Sequence, residues 1–289
     1  MLVEKRTITK TLIDIFEGKK FPRTNIDILI NYASKNKVLL HLLRALDIQG
    51  SLRECQELGM RSVVKIVQIL SKLLKDYDYA FFKLIKPVSY VPADVDLLVG
   101  ADQITKVTRE LMKLGYRIEV KDPYCITLMR GDSIIDLYVH PSLGGVVFLN
   151  GQRLLEHTCI KEFNGIEVRS LQSHAEALAA ASHAIYKERI YTLNDFFTVK
   201  EWVSKKTFRL AQELGCEDAL EAAMTLNREI RLGLLETPYK IPLPLWLAIL
   251  IKKFQRDNLT RATSTGILKT LTNKRIGKLL VSKLTRETY

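Results

Sequence analysis

The 289-residue sequence has no hydrophobic run long enough to suggest a membrane segment. The run "IPLPLWLAIL" followed by Ile251, near the C-terminus, is about half of the roughly 20 residues that a spanning helix needs. The first ten residues, "MLVEKRTITK", also lack the apolar stretch of a signal peptide. We therefore expect a cytoplasmic protein with no membrane partner.

Cysteine is scarce and is not grouped in pairs. Cys55, Cys125, Cys159 and Cys216 are scattered along the chain with no CxxC spacing. This pattern argues against a zinc site with sulfur ligands and against a disulfide framework. We expect buried free thiols.

Acidic residues are outnumbered, with 32 Asp and Glu against 44 Lys and Arg, a formal charge of +12. Such an excess indicates a polyanionic partner or an anionic surface. Lys252 to Tyr289 holds ten basic residues against two acidic ones. These belong either to a solvated face of terminal helices or to a surface that contacts a phosphate backbone. In the second case the candidate nucleic-acid-binding residues are Lys252, Lys253, Arg256, Lys274, Arg275 and Lys278.

Residues 1–76 are predicted to be helical because "NIDILINYASKNKVLLHLLRAL" and "SVVKIVQILSKLLKD" repeat apolar residues every three or four positions. Ser51, followed three residues later by Glu54, suggests a capping box that opens a short helix, "SLRECQEL". A turn at "GM" before the next helix favours a helix-turn-helix, although packed helices of other kinds give the same spacing. The basic residues of that second helix would be Arg61, Lys65, Lys72 and Lys75.

Residues 77–170 change to short β-branched and aromatic runs, which predict strands. A capped amphipathic helix, "ADQITKVTRELMKLG", separates two of them. Residues 171–289 return to helices, interrupted only by "ETPYKIPLPL". We therefore predict an α+β protein with an α/β core, in which a small mixed β-sheet domain is flanked by N-terminal and C-terminal helical regions.

Two aspartates stand in one of the predicted strands, "DVDLLV". Side chains alternate in direction along a strand, so Asp94 and Asp96 project from one face about 7 Å apart, opposite to Val95 and Leu97. Two carboxylates that lie so close to each other repel. This repulsion raises the pKa of one of them or requires a cation between them. Burial of the apolar residues of this strand does not by itself explain why it carries both charges.

A second strand, "SIIDLYV", places Asp136 in a similar apolar setting. If the two strands are neighbours, the three carboxylates converge. Such a cluster suits two divalent ions that coordinate a triphosphate and an attacking hydroxyl. The alternative is that the aspartates cap strand ends or pair with Lys83 or Lys86. His140 is interpreted as a local hydrogen-bonding residue, and His183 as a core or surface residue.

From about Asn25 to Leu232 the chain resembles the nucleotidyltransferases of the DNA polymerase β-like superfamily, in particular a branch whose catalytic domain is flanked by helices. The residues that carry the resemblance are "KNKVLLHLLRAL", "AFFKLIKP", "DVDLLV", "IIDLYVHPSL" and "SHAEALAAASHAIYKERIYTLNDFF". The resemblance implies that Asp94, Asp96 and Asp136 are metal ligands for Mg²⁺ or Mn²⁺. It further implies that Asp136 acts as the base, or orients the acceptor hydroxyl, and that Lys187 and Asp195 belong to the nucleotide site.

The sequence departs from that superfamily after the first strand, where Gly-Gly or Gly-Ser is usual and "KLIKPVSYVP" has no glycine. We expect Lys83, Lys86 and Ser89 to supply charge and a hydroxyl there instead.

Two functions remain open at this point. One is transfer of a nucleoside monophosphate from an NTP to a hydroxyl, with RNA such as a tRNA end ahead of a protein or an antibiotic as acceptor. The other is a non-catalytic nucleic-acid-binding protein with a degenerate nucleotidyltransferase domain.

Overall fold

Eleven strands and twelve α-helices make up residues 7–264, the part of the chain that the computed structural model describes. The strands are β1 (Tyr79–Phe81), β2 (Val95–Val99), β3 (Arg117–Asp122), β4 (Cys125–Arg130), β5 (Ser133–Tyr138), β6 (Ser142–Leu143), β7 (Val146–Val147), β8 (Thr158–Phe163), β9 (Ile166–Leu171), β10 (Ile190–Tyr191) and β11 (Tyr239–Lys240). The helices are α1 (Ile8–Phe16), α2 (Ile26–Lys35), α3 (Leu39–Ala45), α4 (Ser51–Leu73), α5 (Ile104–Lys113), α6 (Gly151–Leu155), α7 (Ser173–Ser182), α8 (Leu193–Trp202), α9 (Lys205–Glu213), α10 (Glu217–Arg231), α11 (Leu243–Arg256) and α12 (Asn258–Ser264).

Strand β2 lies in the middle of a seven-stranded mixed sheet with the order β3-β4-β5-β2-β1-β9-β8. It runs parallel to β5 and antiparallel to β1, and β1 runs parallel to β9. All five residues of β2 are buried, because helices cover both faces of the sheet at its centre. The mixed α+β architecture predicted from the sequence is confirmed.

The two faces of the sheet belong to two apolar clusters. Phe81 and Leu97 pack with residues of α4 and α5. Leu98 and Tyr138 point to the opposite face and pack with residues of α7, α8 and α10 and of the N-terminal helices. The helical regions on either side of the sheet in the sequence therefore share one apolar core with it.

Helix α4 corrects the predicted helix-turn-helix, because residues 51–73 form one continuous helix with no turn at Gly59 and Met60. A Cβ at Gly59 would lie 3.1 Å from a methyl of Val91, so the glycine allows a close approach within the helix. The predicted capping box is also wrong. The helix is preceded by Gly50 and has no side-chain cap, since Ser51 is already its first residue.

The region after Leu171 contains more than α-helices. A π-helical segment, His183–Glu188, follows α7, and β10 pairs with β11 in a two-stranded sheet. Strands of two residues carry too little periodicity to be recognised in a sequence. Lys274, Arg275 and Lys278 lie outside the described residues.

The cysteines are unpaired, as expected, but they are not all buried. Cys216 is buried, Cys125 and Cys159 are half-buried, and Cys55 is exposed on α4. Among residues 7–264, no helix is both long and apolar enough to cross a membrane.

Candidate active site

Strands β2 and β5 bring the three predicted aspartates together. Asp96 and Asp136 are directly opposite each other in the parallel β2–β5 register. Asp94 shares the face of Asp96 because side chains two residues apart point the same way. One carboxylate oxygen from each of Asp94, Asp96 and Asp136 lies within 4.8 Å of the other two. The predicted convergence of the carboxylates is confirmed.

Asp96 is the most buried member of the cluster and is 6% exposed. Burial raises the pKa of its carboxyl group, the neighbouring Asp94 and Asp136 add to the rise, and Lys83 opposes it. Its Oδ2 lies 2.8 Å from Nζ of Lys83, while Oδ1 is buried without a hydrogen-bond partner. A buried carboxylate oxygen that lacks a partner is costly unless a cation or a proton reaches it.

Asp136 is oriented by two hydroxyl groups. Thr127, its partner on β4, donates to Oδ1 at 2.6 Å, and Tyr138 donates to Oδ2 at 3.1 Å. Nζ of Lys187 in turn donates to the Tyr138 hydroxyl at 3.2 Å. A chain of hydrogen bonds thus links a cation of the π-helical segment to the carboxylate of β5.

The cluster fits a hard divalent cation. Mg²⁺ and Mn²⁺ take oxygen ligands, and all three side chains offer carboxylate oxygens. Oδ1 of Asp96 has no hydrogen-bond partner and is available as one such ligand, whereas Oδ2 is paired with Lys83. Asp94 is exposed, so an ion also has access to the cluster from solvent.

The three aspartates line a cavity of about 570 Å³ whose wall also carries several lysines. The wall combines negative charge suited to metal ions with positive charge suited to phosphate groups. The acidic residues of the wall are Asp94, Asp96, Asp136, Glu188 and Asp195. The basic residues of the wall are Lys37, Lys83, Lys86 and Lys187.

Four of the five residues predicted for nucleotide binding therefore lie in this wall, and Ser89 does not. The Ser89 hydroxyl instead accepts a hydrogen bond from Arg44 at 3.1 Å, and its backbone N–H donates to His41. The structure therefore places Ser89 beside α3, because the chain turns toward that helix after Pro87.

Lys86 and Asp195 are in the wall but already have partners. Nζ of Lys86 lies 2.8 Å from Oε1 of Glu176, and both side chains are almost fully buried. Asp195 forms a capping box with Thr192, whose hydroxyl donates to Oδ2 at 2.7 Å. Lys86 and Asp195 therefore stabilise the structure of the cavity wall.

The segment after β1 forms a sharp turn without glycine. Lys83 itself takes the left-handed conformation, with φ at 58°. Its N–H donates to Oε1 of Glu176 at 2.8 Å, and its carbonyl accepts a hydrogen bond from the Tyr90 hydroxyl. Partners on both sides hold a conformation that a non-glycine residue rarely adopts.

Sequence reasoning missed Lys37, which lies between α2 and α3 and also has a positive φ, 58°. Burial lowers the pKa of its ammonium from 10.5 to about 8, while Asp195 opposes the change. The turn is fixed by Asn36, whose Oδ1 accepts from the N–H of Leu193 at 3.0 Å. Nδ2 of Asn194 donates to the Lys37 carbonyl at 3.3 Å. The N-terminal helices thereby place a cation in a wall built mainly from later parts of the chain.

His183 and Glu188 were also missed as cavity residues. Nε2 of His183 lies 3.5 Å from Oε1 of Glu188, a contact between residues five apart in the sequence. A π-helix brings residues with this spacing together, whereas an α-helix does not. His140, by contrast, accepts a hydrogen bond from Gly151 N–H at 3.0 Å on Nδ1, so the interpretation of a local hydrogen-bonding residue is confirmed.

Three of the residues predicted to bind nucleic acid lie within the described part of the chain, and each is engaged with an acidic group. Lys252 and Arg256 lie 3.1 Å and 2.7 Å from the carboxylate of Asp218. Lys253 is buried, with Nζ 2.6 Å from the Leu214 carbonyl and 2.6 Å from Asp257. Lys253 was therefore wrongly predicted to contact nucleic acid, because its amphipathic position faces the core.

Comparisons with known proteins give partial structural matches. No protein-family model matches the chain, and no curated protein matches it. The lincosamide antibiotic adenylyltransferase LnuA, with lincomycin bound, matches at 18% identity and a TM-score of 0.34, covering 48% of this chain and 93% of that one. ANT(2″)-Ia in complex with adenylyl-2″-tobramycin matches at 16% identity and a TM-score of 0.31, covering 57% of this chain and 98% of that one.

The solution structure of the antibiotic-resistance factor ANT(2″)-Ia matches at 15% identity and a TM-score of 0.30, covering 59% and 95%. The matched structures are nucleotidyltransferases, the class of enzyme that the sequence resembles. TM-scores of 0.30 to 0.34 describe only a partial likeness between the folds of these structures and that of this chain.

Proposed function

We propose that this protein is a metal-dependent nucleotidyltransferase, which transfers a nucleoside monophosphate from an NTP to a hydroxyl group with release of pyrophosphate. The observation that carries the proposal is the convergence of Asp94, Asp96 and Asp136 within 4.8 Å in a cavity lined by four lysines. Phosphoryl-type transfer depends mainly on positioning of the reactants and on neutralisation of their charge. The aspartates and the lysines of the cavity are suited to these two tasks.

The aspartates and lysines take different roles in this reaction. Asp94, Asp96 and Asp136 would hold Mg²⁺ or Mn²⁺, which when bound neutralises charge on the triphosphate and on the attacking oxygen. Lys37 and Lys187 face the phosphate groups from two sides of the cavity. Asp136 orients the acceptor hydroxyl or takes its proton, while the hydroxyls of Thr127 and Tyr138 hold its carboxylate in place.

RNA, such as a tRNA end, is the acceptor that we propose. It is supported by the excess of 44 basic over 32 acidic residues, which favours a polyanionic partner. The alternative, a non-catalytic nucleic-acid-binding protein, receives no support from a helix-turn-helix in the described residues, because α4 is continuous.

The proposal is tested by incubating the protein with an α-³²P-labelled NTP, Mg²⁺ or Mn²⁺ and RNA, and measuring label transferred to the acceptor. We expect Asp96→Asn to reduce transfer by at least about a hundredfold, since it removes a charge from the ion site at nearly constant volume. Asp132→Asn is the matched control, because Asp132 lies in an exposed turn and does not line the cavity. Equal transfer by Asp96→Asn and the wild-type protein would refute catalysis at this site.

A further inference from the structure

Lys83 already holds a positive charge inside the aspartate cluster. Its Nζ lies 2.8 Å from Oδ2 of Asp96, and the side chains of the pair are 16% and 6% exposed. Asp94 and Asp136 also act on this ammonium electrostatically. Lys83 therefore neutralises part of the negative charge of the cluster.

The position of Lys83 is built into the fold. The left-handed backbone, held by Glu176 and Tyr90, directs the side chain back over the sheet. Nζ lies 5.0 Å from the ring centre of Phe82 and 5.7 Å from that of Tyr138. These rings favour a cation at that place, because the π faces carry partial negative charge.

The ammonium and a divalent ion compete for the same carboxylates. A metal bound to Oδ2 of Asp96 would share that oxygen with Nζ of Lys83, which already lies 2.8 Å from it. Like charges that close in a partly buried site repel strongly. Occupation of Oδ2 by a metal therefore requires Lys83 to move.

We propose that Lys83 is a built-in counter-cation that occupies the ion site until a divalent ion displaces it. On displacement its flexible side chain is free to turn toward the open part of the cavity, where the proposed NTP phosphates lie. Ion loading and phosphate binding are thereby coupled through one lysine. This inference rests on the proposed function, in that the aspartate cluster must bind a divalent ion.

The test measures binding of Mn²⁺ alone, without nucleotide, by electron paramagnetic resonance of free Mn²⁺. We expect Lys83→Met to bind Mn²⁺ about tenfold more tightly than the wild-type protein, because the competing charge is removed. Lys83→Arg keeps the charge and should stay near the wild-type affinity. Lys187→Met removes a cation from the same cavity whose Nζ donates to the Tyr138 hydroxyl. Its effect should be smaller, because Lys83 is the lysine that lies 2.8 Å from an Asp96 oxygen.

Thermal unfolding gives a second measurement. In EDTA, Lys83→Met should unfold at a lower temperature than the wild type, because Asp96 is left buried without its cation. Saturating Mn²⁺ should raise the unfolding temperature of this variant more than that of the wild type.

If Lys83→Met does not fold, the wild-type protein still tests the inference. Acetic anhydride should modify Lys83 faster in saturating Mn²⁺ than in EDTA, as read by mass spectrometry against the exposed Lys113. An unchanged rate would overturn the inference, as would equal tightening of Mn²⁺ binding in the two methionine variants. If neither the wild type nor any variant binds Mn²⁺, the proposed metal site itself fails, and with it this inference. If Mn²⁺ binds equally to all of them, only the role of Lys83 fails.

Discussion

The hydroxyl of Tyr138 donates a hydrogen bond to Oδ2 of Asp136 at 3.1 Å, from a position two residues further along the same strand. The same hydroxyl accepts a hydrogen bond from Lys187. Tyr138 is buried, so water does not replace these bonds. Together with Thr127, which donates to Oδ1, the tyrosine therefore fixes the orientation of the Asp136 carboxylate.

We expect Tyr138→Phe to lower kcat for label transfer about tenfold while the fold is retained, since one hydrogen bond to a charged group is lost. The measurement is initial rate against NTP concentration together with thermal unfolding. Tyr124→Phe is the control, because the Tyr124 ring packs at a tilted angle against His140 and does not line the cavity. A wild-type kcat in Tyr138→Phe would show that Asp136 needs no support from this hydroxyl.

Lys37 should make NTP binding sensitive to alkaline pH. Desolvation in the cavity wall lowers its pKa to about 8, so the ammonium loses its proton as the pH rises through that value. Phosphate groups bind the protonated form, and affinity should therefore fall as the pH rises through about 8.

The measurement is the dissociation constant of a non-hydrolysable NTP from pH 7 to pH 10. Lys37→Arg should bind with nearly constant affinity over this range, because a guanidinium stays charged. Lys37→Gln should bind weakly at every pH. The same pH profile in the wild type and in Lys37→Arg would assign the titration to another group.

The basic C-terminal residues should determine how RNA binding depends on salt. Each phosphate contact adds about 0.7 to 0.9 to the slope of log affinity against log salt, so four to six contacts give a slope near −3 to −5. Changing Lys274, Arg275 and Lys278 together to Gln should flatten the slope by about two to three. Changing Lys252 and Arg256 to Gln should have less effect, because both side chains pair with Asp218.

RNA binding is measured by fluorescence anisotropy at several salt concentrations, and label transfer to a small hydroxyl acceptor serves as the control. The triple variant should keep that transfer, since it leaves every described residue of the cavity wall unchanged. An unchanged salt slope would show that RNA binds elsewhere on the protein. The next residues to test would be Arg61, Lys65, Lys72 and Lys75.

Gly151→Ala should destabilise the protein by about 1–3 kcal/mol or more, because the site has no room for a methyl group. A Cβ there would lie 2.2 Å from the Val139 carbonyl oxygen, a backbone atom that cannot move aside alone. Gly59→Ala is the matched control, since its Cβ meets only a Val91 methyl at 3.1 Å and alanine favours a helix. Urea unfolding should give a lower free energy of unfolding for Gly151→Ala than for Gly59→Ala. Equal values would mean that the backbone after β5 adjusts to the added methyl group.

The aspartate cluster could be predicted from the sequence because its signal is local. Charges in apolar strands are costly, and the two-residue alternation along β2 fixes the face on which Asp94 and Asp96 lie. Pairing of β2 with β5 then needed only the assumption that the two strands are neighbours. The sheet and its covering helices followed from similar periodic patterns.

Other parts of the site depend on contacts that no local pattern records. Lys37 reaches the cavity only because Asn36 binds the backbone of Leu193, a partner 157 residues away. A turn was predicted at Gly59 because glycine commonly interrupts helices. Here the glycine instead lets α4 pass close to Val91, a contact that a sequence pattern does not show. The contact of His183 with Glu188 requires a π-helical segment, which apolar spacing does not reveal.

Asn36 joins parts of the chain that are far apart in sequence. Besides the Leu193 N–H, it binds the carbonyl oxygens of Tyr32 and Thr237 through Nδ2. A fragment of residues 77–170 would contain all three aspartates but only Lys83 and Lys86 of the four cavity lysines. Under the proposed function, the smallest active unit is thus the assembled chain, and grafting the sheet alone onto another protein would transfer the ion ligands without the complete phosphate site.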